Sequence, residues 1–423
     1  MRHHYGNPLV MTTGGRRASG ENVPDRSQSF GEEALGTLLD RAHVLPPHRI
    51  GPIIADAVGK LGGRDISVLL QDYGQWLLVP LRSDGLVAED PQPIDGSHAG
   101  QAFLDTHPVE VSLADGVRVH IPLLDGGDQV GVMSVTLESV DDDARRLLRR
   151  IACVVADLLV TKHSYTDLFF LSRRREPMSV AAEIQWSLLP PLAMIMPRVA
   201  VAGMLEPAYD VAGDSFDYAL NDDMLHVAMI DAMGHGLSAA VMATVAIGAY
   251  RHARRSSISL SEIYFFLDQA VADQFGPDHF VTAQMMRLDT ATGWLQWVNA
   301  GHPAPLLLRG DRVVSRLDSP TTLPVGFGGE EPVISERKLE PGDRIVCFTD
   351  GLIEQHEPGE QPFGEHLLID CVNRVAGVRM NPRAMSRSLS HALRDARGGR
   401  TTDDATILLV EWLGPSETEP IAP

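Results

Sequence analysis

The sequence has few cysteines and no long apolar run. Its three cysteines, Cys153, Cys347 and Cys371, are widely spaced among 423 residues. That spacing argues against a disulfide framework or a zinc knuckle and is typical of a reducing compartment. No apolar run approaches the roughly 18 residues that span a bilayer, and the N-terminus lacks an apolar segment of signal-peptide length. We therefore expect a cytoplasmic protein with no membrane segment.

Positive charge is also scarce. Lys and Arg number 36 against 56 Asp and Glu, which gives a formal net charge of -20. A chain this acidic is a poor candidate for binding nucleic acid or an anionic membrane. The Gly-x-Ser-x-Gly motif of serine hydrolases is absent, and no activated Cys or Ser is evident. The acidic excess instead favours solubility and clusters of carboxylates that bind cations.

The length predicts two domains, because 423 residues exceed what one compact core usually holds. Residues 1–32 lack hydrophobic periodicity and are predicted to be a disordered tail. Residues 33–163 start with a helical pattern, and short strand-like runs separated by Gly/Asp turns follow at 65–70, 75–81, 117–124 and 129–137. The last ten residues, 414–423, are predicted to be a flexible tail.

A long helix is predicted to leave the first domain at about residue 141 and to run to about 176. Apolar residues recur in it at alternating steps of three and four, interrupted by Lys162: Leu148, Ile151, Val155, Leu158, Tyr165 and Phe169. This spacing predicts a coiled-coil seam and a homodimer through residues 144–172, which Lys162 would weaken. The spacing is equally typical of a helix that packs on its own domain. Residues 164–195 are predicted to be a helical linker.

Carboxylates close several apolar runs in residues 196–413. Each one alone is typical of a turn or cap residue, since Asp bonds the local backbone. If the strands pair, however, several carboxylates would converge at one end of a sheet, and their repulsion would favour a hard divalent cation such as Mg²⁺ or Mn²⁺. Glycines after Asp231 would leave room for a substrate. The aspartates concerned are Asp214, Asp217, Asp231, Asp350, Asp403 and Asp404.

Six motifs occur in order between residues 180 and 411: AAEIQWSLLP, VAGDSFDY, DAMGHGLSAA, the run FVTAQMMRLDTATGWLQWVNAGHPAPLLL, FTDGLIE and DDAT. Together they resemble the SpoIIE-type branch of the metal-dependent protein phosphatases, the PPM or type-2C class. The stretches GQAFLDTHPVEV and IPLLDGGDQVGVMSV resemble a GAF sensory domain, a combination found in bacterial relatives of the stress regulator RsbU. The resemblance implies an α+β protein: a GAF-like α/β sensory domain, a helical linker, and a PPM-type αββα sandwich of two antiparallel sheets flanked by helices.

The resemblance also implies a site for two Mn²⁺ or Mg²⁺ ions at one edge of the sandwich. The implied ligands, which would also be the catalytic residues, are Asp214, a bridging Asp231, Asp350 and Asp403, with Asp404 as the alternative to Asp403. The backbone carbonyl of Ala232 would be a further metal ligand, in a position that is usually glycine. Ala212 and Ser215 depart from the family pattern without removing a carboxylate. His235 and His302 are expected to shape turns or support carboxylates rather than to act as general acids.

The implied activity is hydrolysis of phosphoserine or phosphothreonine by a water that two metal ions activate. The implied substrate is a phosphorylated anti-sigma factor antagonist of the STAS type, in a pathway that controls transcription. A small molecule or protein would signal through the GAF-like domain. Two alternatives stay open: a pseudo-phosphatase that only binds its partner, and a phosphomonoesterase that acts on a small metabolite.

Overall fold

The computed structural model describes residues 28–210, 213–353, 364–378, 380–396 and 404–415. Within these ranges, no helix has both the length and the apolar character needed to cross a membrane. The described chain forms an N-terminal α/β region followed by a sandwich of two antiparallel sheets.

The N-terminal region is built on a six-stranded antiparallel sheet in the order β3-β2-β1-β6-β5-β4. Helices α1, α2 and α4 pack on one face of this sheet, and α3 covers the other face. The strands predicted from the alternating runs are therefore present. The bounds are α1 Gln28–Val44, α2 Ile50–Gly59, β1 Arg64–Gln71, β2 Leu77–Pro80, β3 Gln92–Pro93, α3 His98–Asp105, β4 Val109–Leu113, β5 Gly116–Asp125, β6 Asp128–Leu137 and α4 Asp142–His163.

The predicted N-terminal tail, residues 1–32, includes at its C-terminal end five residues that are helical in the structure. Helix α1 begins at Gln28, so residues 28–32 are helical. Its partly buried Leu35 and buried Leu38 pack into the core of the N-terminal region. Residues 1–27 lie outside the described part of the chain. The assignment of this region as a GAF-like domain stays a prediction.

The predicted long exit helix is in fact two helices. Asp141 caps α4, because its side chain accepts a hydrogen bond from the Ala144 amide, but α4 ends at His163. Helix α5 spans Leu168–Arg173. The break follows from local hydrogen bonding, since the Thr166 hydroxyl accepts from the Leu168 amide and opens a new turn. Phe169 then packs back into the N-terminal core.

The structure supports the second interpretation of the spacing in α4, a helix that packs on its own domain. Leu148, Ile151 and Val155 are buried in the core of their own chain, and Lys162 is buried as well. Tyr165, a further seam position, is instead largely exposed. The helix therefore uses its apolar stripe to cover its own sheet. A homodimer through residues 144–172 stays a prediction.

The C-terminal region is the sandwich. One sheet has the order β15-β12-β11-β10-β9, and the other has the order β14-β13-β16-β17-β8-β7. The bounds are α6 Val180–Leu188, β7 Ala193–Ile195, β8 Val199–Glu206, β9 Asp214–Asn221, β10 Met224–Ala232, α7 Leu237–Arg255, α8 Leu260–Phe275, β11 Val281–Asp289, β12 Trp294–Ala300, β13 Leu306–Arg309, β14 Arg312–Arg316, β15 Ser335–Lys338, β16 Arg344–Phe348, α9 Gly364–Ala376, α10 Pro382–Ala396 and β17 Ala405–Trp412.

Three apolar clusters define the layers of this sandwich. Helices α7 and α8 pack on the outer face of the first sheet. The inner faces of the two sheets pack against each other through residues such as Phe216, Met229 and Leu408. Helices α9 and α10 cover the outer face of the second sheet. The order helix, sheet, sheet, helix confirms the predicted αββα architecture.

The sandwich starts slightly earlier than predicted. Strand β7, at Ala193–Ile195, pairs with β8 as the edge of the second sheet, although residues 164–195 were predicted to be linker. The preceding helix α6 ends at Leu188, just before Pro190 and Pro191, as the prolines predict.

Helix α10 also joins the sandwich to the N-terminal region through two buried arginines. The Arg383 guanidinium donates to the side-chain oxygen of Gln71 at 2.5 Å and lies over the Phe103 ring. Arg387 donates to the backbone oxygen of Gln75 and, at 2.7 Å, to a carboxylate oxygen of Asp95. The two regions therefore share a polar interface that is closed to water at the two guanidinium groups.

We expect Ile151→Ala to lower the free energy of unfolding by about 3 kcal/mol, because it leaves a cavity in a packed core. Chemical denaturation measures the change, and sedimentation equilibrium should find an unchanged molecular mass. Arg149→Ala is the control on the exposed side of the same helix and should change stability by less than about 0.5 kcal/mol. A lower mass for Ile151→Ala than for the wild type would contradict the packing described here.

Candidate metal centre

Two of the predicted aspartates face each other on neighbouring strands. Strands β9 and β10 form an antiparallel hairpin whose register places Asp214 opposite Asp231. Asp214 is the first residue of β9, and Asp231 is the last but one of β10, so the pair lies at the open end of the hairpin. Asp214 is buried, whereas Asp231 keeps partial exposure. This end of the sheet therefore presents two carboxylates side by side.

A third carboxylate, that of Asp404, reaches the same place from the other sheet. One of its oxygens accepts from the Asp214 amide at 3.2 Å and from the Gln185 side chain at 3.3 Å. The Gln185 amide also donates to the backbone oxygen of Asp214 at 2.8 Å. Asp403, the preferred candidate in this pair, lies outside the described residues. The contact with Asp214 is therefore established for Asp404 alone among the described residues.

Two threonines hold the Asp214 carboxylate in place. The Thr349 and Thr406 hydroxyls donate to the same Asp214 oxygen at 2.6 and 2.7 Å. The Thr406 amide in turn donates to the Thr349 hydroxyl, which ties the ends of β16 and β17 together. Asp350 follows Thr349 directly and starts a single 3₁₀ turn, Asp350–Leu352. Asp350 therefore lies directly after a residue of the second sheet that contacts the Asp214 carboxylate.

The electrostatics of this cluster are unfavourable to a bare carboxylate. Burial raises the pKa of Asp214 well above its usual range, and the nearby Asp231 and Asp404 raise it further. The two threonine hydroxyls act in the opposite direction and are not enough to offset the rise. A cation bound at this point would remove the conflict, because opposite charge favours the ionised carboxylate.

The donor chemistry fits Mg²⁺ or Mn²⁺, since it consists of carboxylate and carbonyl oxygens. Gly213 leaves the Ala232 carbonyl open, because a Cβ at residue 213 would come within 3.1 Å of that oxygen. Across the described ranges, no group of three or more His, Cys, Asp or Glu side chains is arranged closely enough to hold a metal ion. The ligand set therefore stays a prediction, and one predicted ligand, Asp403, lies outside the described residues.

Asp217 does not belong to the cluster. It lies three residues beyond Asp214 on β9, which turns its side chain to the opposite face of the strand. There it forms ion pairs with Arg254 at 2.6 Å and with Arg251 at 2.7 Å. Its charge is already compensated by arginines, so it stabilises the packing of α7 on the sheet.

The two histidines have the supporting positions that the sequence predicted. His302 shares a hydrogen bond of 2.8 Å with the Thr282 hydroxyl, and Thr282 lies opposite Asp231 on β11. The His302 amide donates to the side chain of Asn299, and burial lowers the pKa of His302 to about 3, so its ring is neutral. His235 occupies a turn between Gly234 and Gly236, whose φ angles of 88° and 73° suit glycine.

Sequence reasoning missed three residues that position the acidic cluster, namely Gln185, Thr349 and Thr406. Each of them lies inside a motif that had been singled out, AAEIQWSLLP, FTDGLIE or DDAT. The available signal was a polar side chain in an otherwise apolar stretch. Their roles depend on contacts between distant parts of the chain, which spacing alone does not show.

Comparison with known proteins finds a family match over the part of the chain that includes Asp231 and Asp404. The model of the family described as Stage II sporulation protein E matches residues 221–413. Phosphoserine phosphatase RsbP of Bacillus subtilis is 27% identical over 193 residues, covering 44% of this chain and 47% of RsbP. Phosphoserine phosphatase RsbU of the same organism is 22% identical over 182 residues, covering 43% of this chain and 54% of RsbU. The chain thus spans about half the length of these relatives.

Among solved structures, the SiaA-PP2C domain of Pseudomonas aeruginosa matches with a TM-score of 0.47 and 22% identity, covering 55% of this chain and 94% of that domain. The C-terminal part of the chain is a SpoIIE-type domain of the PPM class, homologous to RsbP and RsbU.

We expect Asp214→Asn to raise the free energy of unfolding in EDTA by about 1 kcal/mol or more, because an amide has no charge to bury beside Asp231 and Asp404. Mn²⁺ should raise the melting temperature of the wild type by binding the folded state and should not raise that of the variant. Differential scanning calorimetry with and without Mn²⁺ measures both effects.

Asp223→Asn is the matched control, because the Asp223 side chain is 63% exposed in a surface ion pair. It should leave the stability in EDTA and the response to Mn²⁺ unchanged. An Asp214→Asn protein that is less stable than the wild type in EDTA and is still stabilised by Mn²⁺ would remove Asp214 from the metal centre.

Proposed function

We propose that this chain, whose residues 221–413 form a SpoIIE-type domain, is a metal-dependent protein phosphatase that hydrolyses phosphoserine or phosphothreonine. The observation that carries the proposal is the buried Asp214 carboxylate beside Asp231 and Asp404, at one edge of an αββα sandwich. The names of the relatives RsbP and RsbU, both phosphoserine phosphatases, support the same chemistry.

In this proposal Asp214, Asp231, Asp350, one of the pair Asp403 and Asp404, and the Ala232 carbonyl hold two Mn²⁺ or Mg²⁺ ions. Bound ions of this kind lower the pKa of a coordinated water and offset the charge of a phosphoryl group. The protein's own contribution is to hold the ligands rigid. Thr349 and Thr406 fix the orientation of the Asp214 carboxylate, and the Gln185 amide links Asp404 to the Asp214 backbone.

Direct attack by water is favoured over a covalent phospho-enzyme. Burial raises the pKa of Cys347 to about 12, so its thiol is not a nucleophile at neutral pH. Cys371 is also buried, and Cys153 lies on the exposed side of α4, outside the sandwich. The cysteines therefore offer no nucleophile at the acidic cluster.

A protein substrate is favoured over a small metabolite by an apolar stripe next to the acidic cluster. Met233 follows directly after β10, and Leu237 and Val241 come at steps of four residues on the first turns of α7. The three side chains are 42%, 52% and 41% exposed. Exposed apolar stripes of this kind are typical of protein-binding surfaces. We propose a phosphorylated anti-sigma factor antagonist of the STAS type as the partner.

Control by the N-terminal region is proposed to act through α6. The Trp186 ring lies edge-on to Tyr73 of the N-terminal region, with 4.9 Å between ring centres. The neighbouring Gln185 contacts Asp404 and the Asp214 backbone. A shift of Tyr73 against α6 would therefore alter the support of the acidic cluster, which is the physical link that regulation requires.

We expect Asp231→Ala to lower Mn²⁺-dependent hydrolysis of p-nitrophenyl phosphate by about 100-fold or more, because a residue shared by both ions is lost. Steady-state kinetics measures the loss, and circular dichroism checks the fold. Asp223→Ala on the far turn of the same hairpin is the control and should retain full activity. A folded Asp231→Ala protein with substantial turnover would refute the two-ion assignment, and an inactive wild type would favour the pseudo-phosphatase alternative.

We expect Leu237→Ser to lower kcat/KM for a phosphoserine STAS-type protein by about tenfold, as for an interface residue, without changing turnover of p-nitrophenyl phosphate. Val378→Ser, at another exposed apolar residue after α9, is the control and should change neither. Equal turnover of free phosphoserine and the phosphoprotein by the wild type would instead favour the small-metabolite alternative.

A further inference from the structure

A cavity of about 420 Å³ lies in the N-terminal region, between α1, the end of β5 and the C-terminal half of α4. It is separate from the acidic cluster, since none of the predicted metal ligands lines it. Its volume is within the range of about 300–1,000 Å³ in which small molecules are bound. The cavity is therefore large enough for a molecule of the size of an amino acid.

One basic group in the wall is left without a partner. Lys162 is only 6% exposed, yet no hydrogen bond or ion pair joins its ammonium to any residue in the described part of the chain. Unlike the sealed polar atoms of the core, this ammonium keeps some surface that solvent can reach. It lies 5.8 Å from the centre of the Tyr165 ring, which also lines the cavity. Lysine is almost never this buried unless it is paired, so the ammonium is open to an anionic group in the cavity.

Two carboxylates lie on another part of the wall, Asp125 at the end of β5 and Asp157 on α4. Among the described residues, no lysine or arginine forms an ion pair with either of them, and Lys162 is too far away to do so. Partial burial raises the pKa of Asp157, and the charge of Asp125 and a hydrogen bond with its carboxyl group raise that pKa further. A cationic group beside both carboxylates would offset their repulsion.

The rest of the wall is mainly aliphatic. Leu39 and Ala42 of α1 and Val154 and Leu158 of α4 supply this surface, which favours an apolar group on the ligand. An anion alone would leave the pair of carboxylates uncompensated, and a cation alone would leave Lys162 without a partner. A ligand that carries both charges and an apolar group complements all three parts of the wall.

We propose that this cavity binds a small zwitterionic amino acid with an apolar side chain. The carboxylate of the ligand accepts from the Lys162 ammonium, and its ammonium donates to Asp125 and Asp157. Its side chain packs on the aliphatic wall. Hydrogen bonds between charged groups are about twice as strong as those between neutral groups, so both ends of the ligand contribute to binding. The inference does not depend on the phosphatase activity, because no residue of the acidic cluster takes part.

The probe is L-norleucine, titrated into the full-length protein by isothermal calorimetry. We expect a dissociation constant of about 0.1 mM, as suits a ligand of this size. Hexanoate has the same carbon chain but no ammonium, and pentylamine lacks the carboxylate. Each of these two compounds should bind at least about tenfold more weakly than norleucine, because the hydrogen bonds of one charged end are lost.

Two variants test the charged ends separately. Lys162→Met should weaken binding of norleucine at least about tenfold and should not weaken binding of pentylamine, which has no carboxylate. Because Lys162 has no partner to lose, this variant should fold at least as stably as the wild type. Asp157→Asn should weaken binding of norleucine and pentylamine but not of hexanoate. Lys60→Met, which removes an exposed ion pair with Asp56, is the matched control and should leave all three affinities unchanged.

A third variant tests the location independently of charge. Thr161 lines the cavity and is exposed, so Thr161→Trp can fill the cavity without disturbing a core. It should abolish norleucine binding, whereas Thr161→Ser, which keeps the hydroxyl, should retain it. The proposal would be overturned if norleucine failed to bind the wild type at about 10 mM, or bound no better than hexanoate or pentylamine. Undiminished norleucine binding to Lys162→Met or Thr161→Trp would also overturn it.

Discussion

The burial of one carboxylate, that of Asp214, is the constraint on which the rest of the sandwich depends. The hairpin of β9 and β10 brings Asp231 beside it, and the second sheet brings Asp404. Like charges this close in a buried place oppose folding unless something offsets them. The two threonines, the Gln185 amide and the open Ala232 carbonyl are arranged around that single point. The fold is thus destabilised locally by these carboxylates, at the position where a bound cation would offset their repulsion.

The short helix α6 contacts both the N-terminal region and the acidic cluster of the sandwich. Trp186 contacts the N-terminal region, and its neighbour Gln185 contacts the acidic cluster. Consecutive residues on a helix point in different directions, about 100° apart, so one turn can face both neighbours. A cavity of about 310 Å³ includes Trp186 in its wall, which places the cavity beside this contact. The N-terminal region and the sandwich therefore meet through direct packing.

Much of this architecture could be predicted from the sequence, for identifiable reasons. The family resemblance carried by the ordered motifs implied the sandwich, and the apolar runs placed Asp214 and Asp231 at strand ends. The spacing from Leu148 to Phe169 shows that one face of the helix is covered, but it does not show whether the helix's own sheet or a second chain covers it. Gln185 was missed because its partner Asp404 is 219 residues away. Asp403 and Asp404 could not be separated from the sequence. Strand alternation shows that neighbouring side chains point to opposite faces, but it does not show which of the two points to the acidic cluster.

The two arginines of α10 have a consequence for the evolution of such chains. Arg383 and Arg387 belong to the sandwich, yet they find their partners at Gln71, Gln75 and Asp95 of the N-terminal region. Exchange of the N-terminal region for a different domain would leave two guanidinium groups buried against a foreign surface, and uncompensated buried charge is strongly destabilising. A different N-terminal domain would therefore require matching changes on one face of α10.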